Sequence, residues 1–304
     1  MLSGILNLDK PRGMTSHDVV AAVRRRMGLR AVGHTGTLDP NASGVLLLCL
    51  GRATKFAQFF EGLEKTYWTM MRLGTCTDTQ DATGTVTRQC AVPPLPTSQV
   101  QGVLQRFTGV VWQTPPMYSA VKYRGKRLYR LARQGQVVPR QPRHIFVRQL
   151  DLLDRRGPLL TLRVVCSKGT YIRTLCEDIG LALGCGAHMV HLQRCRIGAF
   201  SLPQARSLEQ LCRQARGDTP DRLCVPLAEA LSFLPPLALT ACQYSQYRML
   251  QAGHGGAVAG LLATLPATSG AASSYRLCTP MGTTVAVLHR QAVTPEKWKL
   301  YNLV

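Results

Sequence analysis

Acidic residues are scarce: 16 Asp and Glu face 37 Lys and Arg in 304 residues, a net charge of +21. An excess of that size calls for a polyanionic partner or an anionic surface. Long apolar runs are also missing. The longest clean one, Val45–Leu50, is far too short to cross a bilayer. Asp9, Lys10 and Arg12 stand where a secretory leader needs an apolar stretch. A soluble, cytoplasmic protein with no membrane association is therefore expected. Apolar residues make up 45%, which supports a real core and argues against a mostly disordered chain.

Metal-ligand spacing is lacking too. None of the 11 cysteines lies two to four residues from another, which excludes a zinc knuckle. Cys166, Cys176, Cys185 and Cys195, about ten apart, read as small buried hydrophobes of a reducing compartment. His188 and His191 lie three apart, as on one helix face, without a third ligand near them in sequence, and read as structural. No metal site is expected. The glycine-punctuated segment Gly33–Gly44 is followed by no Gly-Lys-Ser/Thr, so a phosphate-loop nucleotide enzyme is excluded as well.

What is present is basic and unevenly distributed. Nine Lys or Arg and no acidic residue lie between Lys122 and Arg148, with Tyr123 and Tyr129 among them, whereas residues 237–304 hold five basic residues and one acidic residue. An uninterrupted basic stretch interleaved with aromatics points to nucleic acid rather than to a merely solvated face. Pro115–Arg143 is too polar for core and reads as a projecting loop with a helical piece.

Short elements of both kinds alternate along the chain without βαβ regularity. Gly4–Leu8 reads as a strand, and Ser16 as the N-cap of a helix carrying Val19, Val20, Ala22 and Val23. Val45–Leu50 reads as a buried strand or helix core. Thr66–Leu73 and Thr85–Arg88 read as strands joined by the polar segment Cys76–Gly84. Val100–Phe107 reads as a helix, and Ile145–Leu153 with Leu159–Cys166 as an antiparallel pair. Tyr171–Leu183 reads as an amphipathic helix stopped by Gly184, with short helices starting at Leu208 and Leu227. Pro235-Pro236 marks a domain boundary. Beyond it come an Ala/Gly/Ser-rich loop (Ala252–Ser274) and strand-like sequence from Tyr275 to Leu288, with little helical periodicity. The expected class is α+β with a largely antiparallel sheet, in two domains, 1–236 and 237–304.

Three segments carry chemistry. In Gly33-His34-Thr35-Gly36-Thr37-Leu38-Asp39-Pro40, the proline biases Asp39 away from helical backbone, and an acid on a rigid loop is either a turn starter or a presented nucleophile. Ser167-Lys168-Gly169-Thr170-Tyr171-Ile172-Arg173 follows a strand and opens a helix, where free N–H groups favour anions. Arg173 there could serve a phosphate or a carboxylate, or be only a surface cation. Tyr67, at the start of a strand, reads by itself as core.

Seven segments, in order over about the first 200 residues, resemble the TruB-type tRNA pseudouridine-55 synthases. They are Gly4-Ile5-Leu6 through Lys10-Pro11 with Gly13-Met14-Thr15-Ser16; Gly33–Pro40 with Ala42, Gly44 and Val45; Lys65–Tyr67; Thr77-Asp78-Thr79 with Asp81 and Gly84; Pro115–Ala120; Lys168–Arg173; and Gly186-Ala187-His188. The resemblance implies a pseudouridine synthase fold, a mixed and largely antiparallel sheet flanked by helices, with a small β-rich, PUA-like C-terminal domain. It implies isomerisation of one T-loop uridine of tRNA by base flipping and covalent catalysis, without cofactor, by a monomer needing no protein partner. Asp39 matches the family's nucleophile, Arg173 its arginine partner, and Tyr67 the tyrosine that stacks on the uracil and assists loss of the C5 proton. His34 matches the histidine that packs against the displaced T-loop. The stretch of about residues 115–145 corresponds to a thumb loop that grips the RNA. The implied RNA contacts are His34, Lys10, Lys122, Arg124, Lys126, Arg127, Arg130 and Lys168. Two rivals stay open: the guide-RNA-dependent branch of the same superfamily, which the thumb-like segment and the absence of a long basic tail disfavour, and a non-catalytic RNA-binding protein.

Overall fold

The structure, a computed structural model, describes residues 2–214, 223–251, 272–290 and 298–303. Most of the expected Ala252–Ser274 loop lies outside the described residues. The first strand, Gly4–Lys10, pairs antiparallel along its whole length with Ser43–Leu50, from Gly4 opposite Leu50 to Lys10 opposite Gly44. Ser43–Leu50 is a strand, not a helix, and its continuous apolar sequence follows from burial on both faces. Val45, Leu47 and Cys49 pack against Phe56 and Phe60, while Leu46, Leu48 and Leu50 pack against Val19 and Val23 of the Ser16–Met27 helix.

The main sheet runs in the order Arg206–Ser207, Gly4–Lys10, Ser43–Leu50, Ala187–Ile197, Lys65–Leu73, Leu159–Cys166, Arg143–Arg156, Gly109–Gln113. It is mixed. Arg206–Ser207 is parallel to Gly4–Lys10, and Ser43–Leu50 is parallel to Ala187–Ile197. The other neighbours along this path are antiparallel, including the expected pairing of the Ile145 region with Leu159–Cys166. Helices Thr97–Arg106 and Ile172–Ala182 cover one face, over a core that contains Leu38, Tyr67, Val164, Ile172 and Leu175.

Four local expectations are corrected. The helix N-cap is Thr15, one residue before Ser16. Thr15 and Asp18 form a reciprocal capping box, Asp18 N–H donating to Thr15 Oγ1 (3.1 Å) and Thr15 N–H to Asp18 Oδ2 (2.8 Å). The segment between the strands Lys65–Leu73 and Val86–Gln89 is not all connector: Gly74, with φ of +85°, turns the chain out of the sheet, and Thr75–Thr77 is itself a strand. Val86–Gln89 forms a small hairpin with Thr75–Thr77. His188 and His191 lie on a strand, not a helix. Pro115–Arg143 has its expected helical piece but adds two short strands to it. A hairpin pairs Lys122–Tyr123 with Lys126–Arg127, turning at Arg124 and Gly125, and the Leu128–Ala132 helix buries Leu128 and Leu131.

A separate four-stranded sheet, Pro236–Ala238, Ser274–Cys278, Thr284–Arg290 and Trp298–Asn302, forms the C-terminal β domain. It carries a helix that weak periodicity hid, Ala241–Gln251, seated by buried Tyr247, whose hydroxyl lies 3.2 Å from Val285 O. Tyr301 packs on Phe56 and Phe59 of the main body, with ring centroids 5.9 and 5.4 Å apart.

Candidate active site

Asp39 sits between two clamped residues. On one side, Leu38 N–H donates to Ser16 Oγ (2.9 Å), the Ser16 hydroxyl donates to Leu38 O (3.2 Å), and the Leu38 side chain is in the core. Thr15 leaves the Ser16 hydroxyl free for this by taking over the capping role. On the other side, Pro40 O accepts from Gly13 N–H (2.9 Å) and Lys10 Nζ (3.1 Å). The carboxylate between them keeps 36% of its side-chain surface exposed.

Lys10 is fully buried, and its ammonium donates to Pro11 O (2.8 Å), Met14 O (2.6 Å) and Pro40 O. The RNA contact expected from the sequence is, in the structure, an internal tie between two loops. Burial pushes its ammonium down to about 8, against the upward pull of Asp39.

Arg173 supplies the counter-charge. It lies in the first turn of the Ile172–Ala182 helix, whose N-cap Tyr171 is pinned through its backbone by both ends of the Gln113 amide (3.0 and 2.8 Å). The guanidinium is buried and meets Asp39 with Nε at 2.9 Å from Oδ2 and Nη2 at 3.4 Å from Oδ1. Its other donors go to Thr79 O (3.0 Å) and Tyr118 O (2.8 Å), and Asp81 Oδ2 stands 3.9 Å from Nε. The surface-cation alternative is thereby excluded. One side chain joins three segments that are far apart in sequence. Asp81 was visible in the sequence only as part of a motif. Its Oδ1 is held by Thr79 Oγ1 (2.7 Å) and Thr83 N–H (2.9 Å), leaving Oδ2 toward Arg173.

Tyr67 lies on the Lys65–Leu73 strand, buried beside the same core. Burial pushes its phenol up, while the charge and hydrogen bonding of Arg194 pull it down. Arg194 is a residue that sequence reasoning missed. Nothing in the sequence set it apart from Arg196, two residues on in the same strand.

His34 ends the Val32–His34 strand, its ring edge-on to His17 at 5.3 Å. Gly36 N–H donates to Nδ1 (3.3 Å), which puts the ring proton on Nε2. Burial, reinforced by His17 and Arg194, pushes its pKa down to about 4. His34 is thus a neutral ring at physiological pH, fit for packing and stacking rather than for phosphate.

Lys168 is exposed at the turn before the Arg173 helix. Lys122, Arg124, Lys126, Arg127 and Arg130 are all exposed on the Lys122–Arg148 stretch. Two of the nine cations counted there are engaged internally: Arg148 pairs with Glu64 (2.6 and 2.8 Å), and Arg140 donates to Pro115 O (3.1 Å). Among the described residues no three His, Cys, Asp or Glu side chains are placed to hold a metal ion. None of the described helices is long and apolar enough to cross a membrane.

Two expectations follow. Lys10→Met strands three carbonyl acceptors and should cost about 3 kcal/mol, read from urea denaturation; a change below a few tenths would show that the tie carries no stability. For His34, the folded-state pKa lies below the ordinary 6.5, so the unfolded chain binds more protons between about 4 and 6.5 and stability falls as pH is lowered through that window. His34→Gln should make that fall shallower, and an unchanged pH dependence would contradict the buried, neutral ring.

Residues 24–172 match the model of the N-terminal domain of TruB family pseudouridylate synthases, and residues 173–232 that of the tRNA pseudouridylate synthase B C-terminal domain. A protein of Symbiobacterium thermophilum named tRNA pseudouridine synthase B is 49% identical over 242 residues, 79% of either chain. One of that name from Stutzerimonas stutzeri is 45% identical over 252 residues, 82% of either chain. Among solved structures, a Cbf5–Nop10–Gar1 complex contains a chain that is 26% identical with a TM-score of 0.69, the match covering 98% of this chain and 83% of that one. Shared sequence over most of its length and a shared fold lead to one conclusion: the chain belongs to the TruB family of pseudouridylate synthases.

Proposed function

We infer that this protein isomerises uridine to pseudouridine in tRNA. We further propose that its target is position 55 of the T-loop, that Asp39 is the nucleophile, and that it works alone as a cytoplasmic monomer, without guide RNA or cofactor. The observation that carries the reading is the Asp39–Arg173 pair: a partly open carboxylate on a clamped loop, oriented by a buried guanidinium. A carboxylate with an ordinary pKa of about 4 is ionised at neutral pH without a general base. What the reaction asks of the protein is position.

Asp39 attacks the nucleoside covalently and the N1–C1′ bond breaks. The uracil turns, C5 bonds to C1′, and the bond between Asp39 and the nucleoside breaks, returning the free carboxylate. The C5 proton then leaves to the Tyr67 oxygen, the C5–H electron pair restores the C5–C6 double bond, and N1 takes up a proton. The sum is an isomerisation with no change of oxidation state. Arg173 keeps Asp39 aimed at the nucleoside.

The target base is packed inside the T-loop and must be flipped out, at a cost of a few kcal/mol. Phosphate contacts from the exposed cations of the thumb offset that cost, with His34 packing against the loop left behind. The thumb hairpin favours direct gripping of a stem-loop over delivery of the substrate by a guide RNA.

Tritium release from C5-labelled uridine in T-loop stem-loop RNA tests the reading. The protein alone should release tritium in step with pseudouridine formation, and binding without release would leave a non-catalytic RNA-binding protein. In the same assay, neutralising Lys122, Arg124, Lys126 and Arg127 together should weaken binding and flatten its salt dependence. Each lost contact should lower the log–log slope by about 0.7 for single strands and about 0.9 for duplex. The chemical step at saturating RNA should fall much less. An unaltered slope would show that this stretch does not touch the RNA backbone.

A further inference from the structure

Arg194 stands in the middle of the Ala187–Ile197 strand with 1% of its surface exposed. A guanidinium in the middle of a sheet is costly unless its donors are matched. No carboxylate lies within ion-pairing distance of it among the described residues. Nε donates instead to Val45 O (2.7 Å) and Nη2 to Gly36 O (3.0 Å). Both carbonyls flank the Asp39 loop, one from each side.

The sheet register adds a third partner. Arg194 is the direct cross-strand neighbour of Tyr67 on one side and of Gly44 on the other. Directly opposed residues place their side chains on the same face, with β-carbons about 5 Å apart. Gly44 permits the approach on its side, since a β-carbon there would collide with the Arg194 backbone. The side chain therefore runs between the phenol and the loop that carries Asp39.

We propose that Arg194 is the positioning residue for Tyr67: it holds the phenol at a set distance from the Asp39 loop. This rests on the reading of Tyr67 as acceptor of the C5 proton. A buried phenol is a poor acceptor because burial opposes the phenolate, and a guanidinium beside it, which has donors and no acceptor, counters that. Burial pushes the Tyr67 phenol up, and the charge of Arg194 acts against that push. An arginine with an acidic partner would have its charge already matched; this one donates to the carbonyls of Val45 and Gly36.

The test is a double-mutant cycle on single-turnover pseudouridine formation, with RNA binding and thermal melting measured for every variant. Arg194→Lys keeps the charge and loses the fork. Arg194→Gln keeps donors for the carbonyls and loses the charge, and is read in the same cycle. Tyr67→Phe alone should slow the reaction on the order of 100-fold, the lower range for a proton-transfer group. Arg194→Gln alone should approach the same loss, and the double variant should be no slower than Tyr67→Phe. In the parent the rate should rise with pH as the phenolate forms, and Arg194→Gln should move that rise to higher pH. If the two losses multiply in the double variant, Arg194 acts independently of the phenol and the proposal falls. A fully active Tyr67→Phe would instead overturn the reading of Tyr67. Failure of both Arg194 variants to fold would assign the residue to stability alone and overturn the proposal.

Discussion

A buried guanidinium needs a matched set of acceptors, and in this protein that requirement builds the site. Arg173 is 6% exposed and divides its donors among Asp39, Thr79 O and Tyr118 O. Removing one partner of such a buried pair typically costs about 3–5 kcal/mol, so the loop of Asp39, the turn around Asp81 and the base of the thumb are all held to the same point. The aim of the Asp39 carboxylate and the folding of three separate segments are one interaction. Ser16, Lys10 and Gly13 complete it by fixing the backbone on either side of Asp39.

The net charge of +21 overstates the charge that RNA meets. Lys10, Lys65, Arg173 and Arg194 are buried, Lys65 donating to Glu61 O (2.5 Å) and Leu63 O (2.6 Å). Arg148 is paired with Glu64. Lys122, Arg124, Lys126, Arg127, Arg130 and Lys168 are exposed. The molecule thus uses basic residues in two ways. Long, solvated ones suit a polyanion whose hold weakens with salt, and enclosed ones tie loops together through carbonyls and one carboxylate.

The parts legible in the sequence were those that obey a local rule. The apolar run Val45–Leu50 and the antiparallel pairing of the Ile145 region with Leu159–Cys166 follow from burial and alternation. Residue motifs pointed to Asp39 and Arg173 before any contact between them was known, though only resemblance gave them roles. What stayed hidden depends on partners distant in the chain. Lys10 reads as a solvated cation until Pro40, thirty residues on, is seen to face it. Ser16 and Thr15 are equivalent N-cap residues on paper, and Leu38 decides between them. The hairpin of Thr75–Thr77 was lost in a segment that looked merely polar. Arg194 has no motif at all, and its meaning comes from the register that sets it opposite Tyr67.

The central claim, that the clamped and paired carboxylate of Asp39 is the reacting group, is tested most directly by single-turnover pseudouridine formation with Asp39→Asn on T-loop stem-loop RNA. Asparagine keeps the size of the side chain and an oxygen for Arg173 but removes the nucleophilic charge. The account predicts RNA affinity close to the parent's with no product above background. Retention of a tenth or more of the parent rate would contradict it.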